Sequence, residues 1–69
     1  MYKVKFRVYV TKMCRKCGEE HPQPTHRYIY HQAEGTEQEV IQAGHKAAVH
    51  LLQLEDVNLR PYYQYSFDV

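Results

Sequence analysis

A chain of 69 residues with a formal net charge of +1 at pH 7 is one domain with a thin core, because domains near this size bury only about 60% of the surface their unfolded chains expose. So small a balance of charge excludes the single-sign field that drives strong nonspecific attachment to nucleic acid, and leaves only a local basic patch for that work. No stretch approaches the roughly 18 apolar residues that span a bilayer. The start, Met1-Tyr-Lys-Val-Lys-Phe-Arg, alternates charged with apolar residues where a signal peptide needs an unbroken apolar run, so a cytoplasmic protein with no membrane partner is expected.

In chain order, Tyr2 to Val10 has period two. Tyr2, Val4, Phe6, Val8 and Val10 point one way, and Lys3, Lys5, Arg7 and Tyr9 the other, the pattern of a half-buried strand. The strand runs into a Cys/His/Pro loop at residues 13–26, where Gly18, Pro22 and Pro24 predict irregular backbone. A second strand is expected from Arg27 to Ala33, with Ile29 and Ala33 facing inward. Thr36 with Glu39 three residues on is a capping box that opens a helix reaching Leu54. On a wheel of roughly 100° per residue, Val40, Gly44, Ala47, Ala48, Leu51 and Leu54 share one side, flanked by Ile41, Ala43 and Leu52. The last strand, Arg60 to Val69, sets Tyr63, Tyr65, Phe67 and Val69 against Tyr62, Gln64, Ser66 and Asp68.

Strand, strand, helix, strand predicts an α+β domain: a three-stranded antiparallel sheet in the spatial order 2-1-3, with the helix on one face. The most regular strand, the first, takes the centre, and a helical crossing returns the third strand antiparallel to it.

The loop holds both cysteines of the chain, Cys14 and Cys17, and two of its five histidines, His21 and His26. Two thiolates at this spacing, followed by Gly18, can chelate one ion from a tight turn. With His21 and His26 they make Cys-x2-Cys-x3-His-x4-His, a donor set for one zinc ion. An alternative takes His45 and His50 from the helix, but side chains five apart on a helix diverge by roughly 140°. Unmetallated thiols are the plain alternative. A redox dithiol fits less well, since a thioredoxin-like pair sits at a helix start. The Cys14 to His26 segment resembles a zinc knuckle, whose pattern runs Cys-x2-Cys-x4-His-x4-Cys. That resemblance implies a zinc ion and single-stranded nucleic acid as the ligand.

The sheet face away from the helix is expected to carry Lys3, Lys5, Arg7 and Tyr9, flanked by Tyr28 and Tyr30 and by Tyr62, Gln64 and Ser66. Cations interleaved with aromatics suit single-stranded nucleic acid, and Tyr with Arg equally suits a protein interface, self-association included. A merely solvated face is the plain reading. Catalytic chemistry is hard to assemble: Ser66 is the only serine, the three glycines are isolated, and paired carboxylates sit where turns and helix starts explain them. The expectation is a non-enzymatic binding protein that occupies a surface of a larger protein or nucleoprotein complex. In size and compactness the chain is similar to small phage-encoded inhibitors of the anti-CRISPR type, a resemblance that implies inhibition by steric blocking. The alternative is a zinc-stabilised module for single-stranded nucleic acid.

Overall fold

The chain folds as β1 (Tyr2–Met13), β2 (Glu20–Ala33), α1 (Glu37–Glu55) and β3 (Leu59–Asp68), and the computed structural model describes all 69 residues. The strands form one antiparallel sheet in the order β2-β1-β3, the topology expected from the sequence. The even-numbered residues of β1 supply the sheet's half of the core, with Val4, Phe6 and Val8 at most 1% exposed. The helix supplies Val40, Gly44, Ala48 and Leu52, a stripe four residues apart. At about 1.5–3 kcal/mol for each fully buried large side chain, so few residues leave little to spare.

The buried stripe of α1 is narrower than the wheel suggests and is rotated from it. Leu51 and Leu54 are 58% and 74% exposed, while Leu52, expected on the flank, is fully buried; Ala47 is exposed too. The cause is the close approach at Gly44. A Cβ there would lie 2.9 Å from His31 Cβ and 3.0 Å from Phe6 Cε2, so the contact runs down the Gly44 line. Thr36 caps the helix, its hydroxyl accepting from the Glu39 N–H at 3.3 Å, and the Asp56 N–H closes the last turn on Leu52 O at 2.9 Å. Side chains tie both ends of α1 to opposite edges of the sheet: Ser66 of β3 donates to Glu37, and Arg27 of β2 binds Glu55 at 2.6 and 3.3 Å.

Two irregularities interrupt the ladders, and the second decides which side chains face where. Opposite Val8 the register with β2 slips between the Arg7↔Tyr28 and Tyr9↔Pro24 pairs. Thr25 fixes that bulge, its hydroxyl donating to Val8 O at 2.6 Å while Arg7 Nε donates to Thr25 O at 2.9 Å. In β3 the register slips between the Lys5↔Tyr65 and Phe6↔Tyr63 pairs, leaving Gln64 as the extra residue. A bulge of one residue reverses the facing of everything after it. Tyr63 therefore lies on the helix side, edge-on to Phe6 at 6.3 Å, whereas Tyr65 and Phe67 share register rows with Lys5 and Lys3 on the open face.

The loop expected at residues 13–26 is shorter than predicted: β1 continues to Met13 and β2 begins at Glu20. Pro22 and Pro24 pair with Thr11 and Tyr9 inside the ladder. They are tolerated because β2 is an edge strand, where a missing N–H on the outer side removes no bond. The third strand stops at Val10↔Leu59, so the rungs from Thr11 to Met13 run on as a two-stranded arm. The long axis is 44 Å against 21 and 18 Å, and the radius of gyration of 13.5 Å exceeds the about 11 Å of a compact chain this long. No helix is long and apolar enough to cross a membrane.

Candidate functional site

Two places carry chemistry: the tip of the arm and the open face of the sheet. At the tip, Cys14 to Glu19 form a tight turn in which the Cys14 N–H donates to Glu19 O at 2.7 Å and the Gly18 N–H to Cys14 O at 2.8 Å. Gly18 has φ of +74° with nothing within 4 Å of where a Cβ would stand. Backbone conformation rather than space is therefore what calls for glycine. The turn folds Cys17 back toward the first residues of β2, and its Sγ lies 3.0 Å from His21 Nε2. The sulfurs of Cys14 and Cys17 and a ring nitrogen of His21 all lie within 4.8 Å of one another, close enough to hold a metal ion. Backbone N–H groups of Cys17 and Lys16, then the Cys17 side chain, lower the Cys14 pKa against a smaller opposing effect of desolvation. That is the direction a thiolate ligand needs.

His26 does not join this group. It sits in the bulge opposite Val8, on the order of 15 Å farther along β2 at strand rise, because residues 20–24 are extended rather than looped. His45 and His50 stay on α1, where His45 lies 6.0 Å from the Phe6 ring, and neither approaches the thiols. Three of the four ligands expected from the sequence thus come together, a set of two soft sulfurs and one imidazole that suits thiophilic ions.

On the open face the odd-numbered residues of β1 form a central column of Lys3, Lys5, Arg7 and Tyr9. Tyr28 and Tyr30 stand beside it on β2 and Tyr62, Tyr65 and Phe67 on β3, by register. All seven residues expected to bind a partner, Lys3, Lys5, Arg7, Tyr9, Tyr28, Tyr30 and Tyr62, fall on this face. Two companions expected there do not: Ser66 turns to the helix side and Gln64 is the bulge residue. Tyr65 and Phe67 replace them. Strict alternation in the sequence puts those two with Tyr63, and no local signal marks Gln64 as an insertion.

Lys5 is the centre of the face. Its ammonium lies 4.2 Å from the Tyr28 ring centroid, 5.4 Å from Tyr65 and 5.8 Å from Tyr30, with Lys3 5.0 Å from Tyr30 and Arg7 5.6 Å from Tyr28. Desolvation by the surrounding rings lowers the Lys5 pKa. Interactions with Tyr30, Tyr65 and Tyr28 outweigh it, so the net shift is upward and the side chain stays charged at neutral pH. The rings remain available, from 38% exposed at Tyr28 to 50% at Tyr30. Tyr9 and Tyr62 meet edge to face at 4.6 Å, extending the aromatic surface toward the arm. No Asp or Glu occupies a register position on this face between Tyr2 and Val10. Asp68 pairs with Tyr2 on the helix side, and Glu37, Glu39 and Glu55 belong to α1. Within the body the open-face rows thus carry cations, and the carboxylates of Asp68, Glu37, Glu39 and Glu55 lie outside them.

Comparison of the sequence with protein-family models and with curated proteins, and of the fold with solved structures, returns no match in any of the three.

Proposed function

We propose that the protein is a non-enzymatic module that binds single-stranded nucleic acid across its open sheet face, with a zinc ion held by Cys14, Cys17 and His21 at the end of the arm. One observation carries the reading: a column of three cations stands between two columns of exposed rings, and no carboxylate occupies the face's register rows between Tyr2 and Val10. Phosphates meet Lys3, Lys5 and Arg7, and bases stack on Tyr28, Tyr30, Tyr65 and Phe67, each stacked base contributing about 1–3 kcal/mol. Lys5 and Lys3 already rest on the rings. Binding therefore exchanges cation–π contacts for a phosphate contact and a stacked base at the same place, with no rearrangement of backbone.

Fluorescence anisotropy with a labelled single-stranded oligonucleotide tests this. Binding should weaken with salt along a log–log slope of about −2, as expected for three phosphate contacts on a single strand. Lys5→Glu with Arg7→Glu should abolish it, and Tyr65→Ala should weaken it about tenfold or more, while Lys46→Glu on the far side of α1 leaves it unchanged. No binding by the wild-type chain at low salt overturns the reading.

A second reading keeps the surface and changes the partner. Tyr65 and Phe67 lie on β3, a sheet edge, so a protein could cover ring and edge together. This is the form a steric inhibitor of the anti-CRISPR type would take, and size and architecture are its only further support. It predicts capture of one purified protein with weak salt dependence, and a larger loss from Tyr→Ala than from Lys→Ala changes.

A further inference from the structure

We propose that the ion at the arm tip sits in an open coordination shell, with three donors from this chain and a fourth position taken by an external nitrogen or sulfur donor. The inference rests on the metal-binding reading of Cys14, Cys17 and His21 and goes beyond it, because a zinc ion that only holds a fold is normally closed by four protein ligands.

The geometry points to three for a specific reason. The turn presents Cys14 and Cys17, and the first rungs of β2 present His21. After His21 the chain is held extended by the Thr11↔Pro22, Val10↔Gln23 and Tyr9↔Pro24 pairs, which carries His26 away to the Val8 bulge. Glu19 and Glu20 flank the turn, yet neither carboxylate lies within the group of donor atoms. Nor can His45 or His50 approach, since α1 ends against Arg27 and leaves the arm uncovered.

Three further features suit an exchangeable position. Cys17 and His21 are exposed and Cys14 is only partly buried, so a donor reaches the ion without moving the chain. The two thiolates cancel the charge of a divalent ion, so the bound unit is neutral. Around it Lys12, Arg15 and Lys16 stand against Glu19 and Glu20, a nearly balanced set that repels neither a neutral imidazole nor an anionic thiolate. The body's core does not depend on the ion, because Val4, Phe6, Val8, Val40 and Leu52 are buried with no contribution from the tip.

The test uses reduced, untagged, full-length protein with cobalt(II) as the probe. Expected are one cobalt per chain and a thiolate-to-cobalt charge-transfer band. The ligand-field bands should shift, saturably, when imidazole or 2-mercaptoethanol is added. His26→Ala should reproduce all of this, and Cys17→Ser should lose the charge-transfer intensity while its far-ultraviolet dichroism stays that of the wild type. One cobalt per chain with bands indifferent to both donors would overturn the proposal by showing a closed shell. One cobalt per two chains, or none, would overturn it as well. Oligonucleotide anisotropy on the same samples separates the two readings. Binding of the strand with no cobalt response sinks the open shell alone, and a cobalt response with no strand binding sinks the sheet-face function alone.

Discussion

The three-stranded body and the two-stranded arm are built from the same two strands and are held by different forces. In the body, β1 is sandwiched between two neighbours and α1, and its inward side chains Val4, Phe6 and Val8 lose essentially all contact with water. Beyond Val10 the same strand has one neighbour and no helix above it; Met13 is 70% exposed. An isolated two-stranded ribbon is marginal in water. The body thus owes its stability to burial, and the arm to backbone pairing and a glycine turn. The candidate chemistry is divided the same way, with the cation and ring columns on the body and the three possible metal donors on the arm.

The harshest way to break this division is Phe6→Ala. It removes the largest buried side chain and should cost about 3–5 kcal/mol, a large share of the 5–15 kcal/mol that holds native domains together. Urea titration followed by far-ultraviolet dichroism should show the whole chain, arm included, losing structure in one transition. A separate arm transition would mean that the arm folds alone.

Gly44→Ala comes next. Helix propensity alone predicts a gain of about 1 kcal/mol. The added methyl meets His31 Cβ and the Phe6 ring at about 3 Å, so a net loss of roughly 1–3 kcal/mol is expected, visible as a lower melting temperature. An unchanged or higher melting temperature would show that α1 moves away from the sheet at little cost.

At the junction of body and arm, Thr25→Val removes the hydroxyl that donates to Val8 O. It should cost about 1 kcal/mol and raise hydrogen exchange at the Val10 and Lys12 amides more than at Val4. Equal acceleration across β1 would place the bulge within the body's cooperative unit.

The Arg27–Glu55 pair links β2 to the end of α1. Its hydrogen bond and charge hold the Glu55 carboxyl below its usual pKa and raise the Arg27 pKa. A depressed carboxylate stabilises the fold above its unfolded pKa of about 4.3 and loses that contribution as pH falls through the folded value. Both side chains are 52% exposed, so solvent screens the effect and it should be small. Glu55→Gln should lower the melting temperature slightly at neutral pH and not at all at the acid end. A difference that persists in acid would mean that shape rather than charge is at work.

The smallest expected change is Cys14→Ser in metal-free protein. The body's urea midpoint should stay where it is, since none of the buried core lies beyond Val8 on β1. A large drop would make the tip part of the core's cooperative unit and erase the contrast between the two regions.

Much of the body was legible in the sequence because its signals are local and periodic. The alternation of Tyr2 to Val10, the Thr36 cap and the apolar helix need only neighbours in the chain, and together they predict the α+β sheet in the order 2-1-3. The Cys14 and Cys17 pair with His21 was legible as well, since a turn of this length brings them together without help from the rest of the fold. What tertiary structure alone decided depends on neighbours distant in sequence. Pro22 and Pro24 can be strand residues only because β2 has an open edge. The bulge at Gln64 shifts which side chains of β3 face out, and a period-two pattern carries no mark of a single inserted residue. Leu51 is exposed and Leu52 buried because Gly44, pressed onto His31 and Phe6, sets the rotation of α1. His26 leaves the metal ligands because backbone pairing with β1 holds residues 20–24 straight, a bond pattern that exists only once the two strands have met.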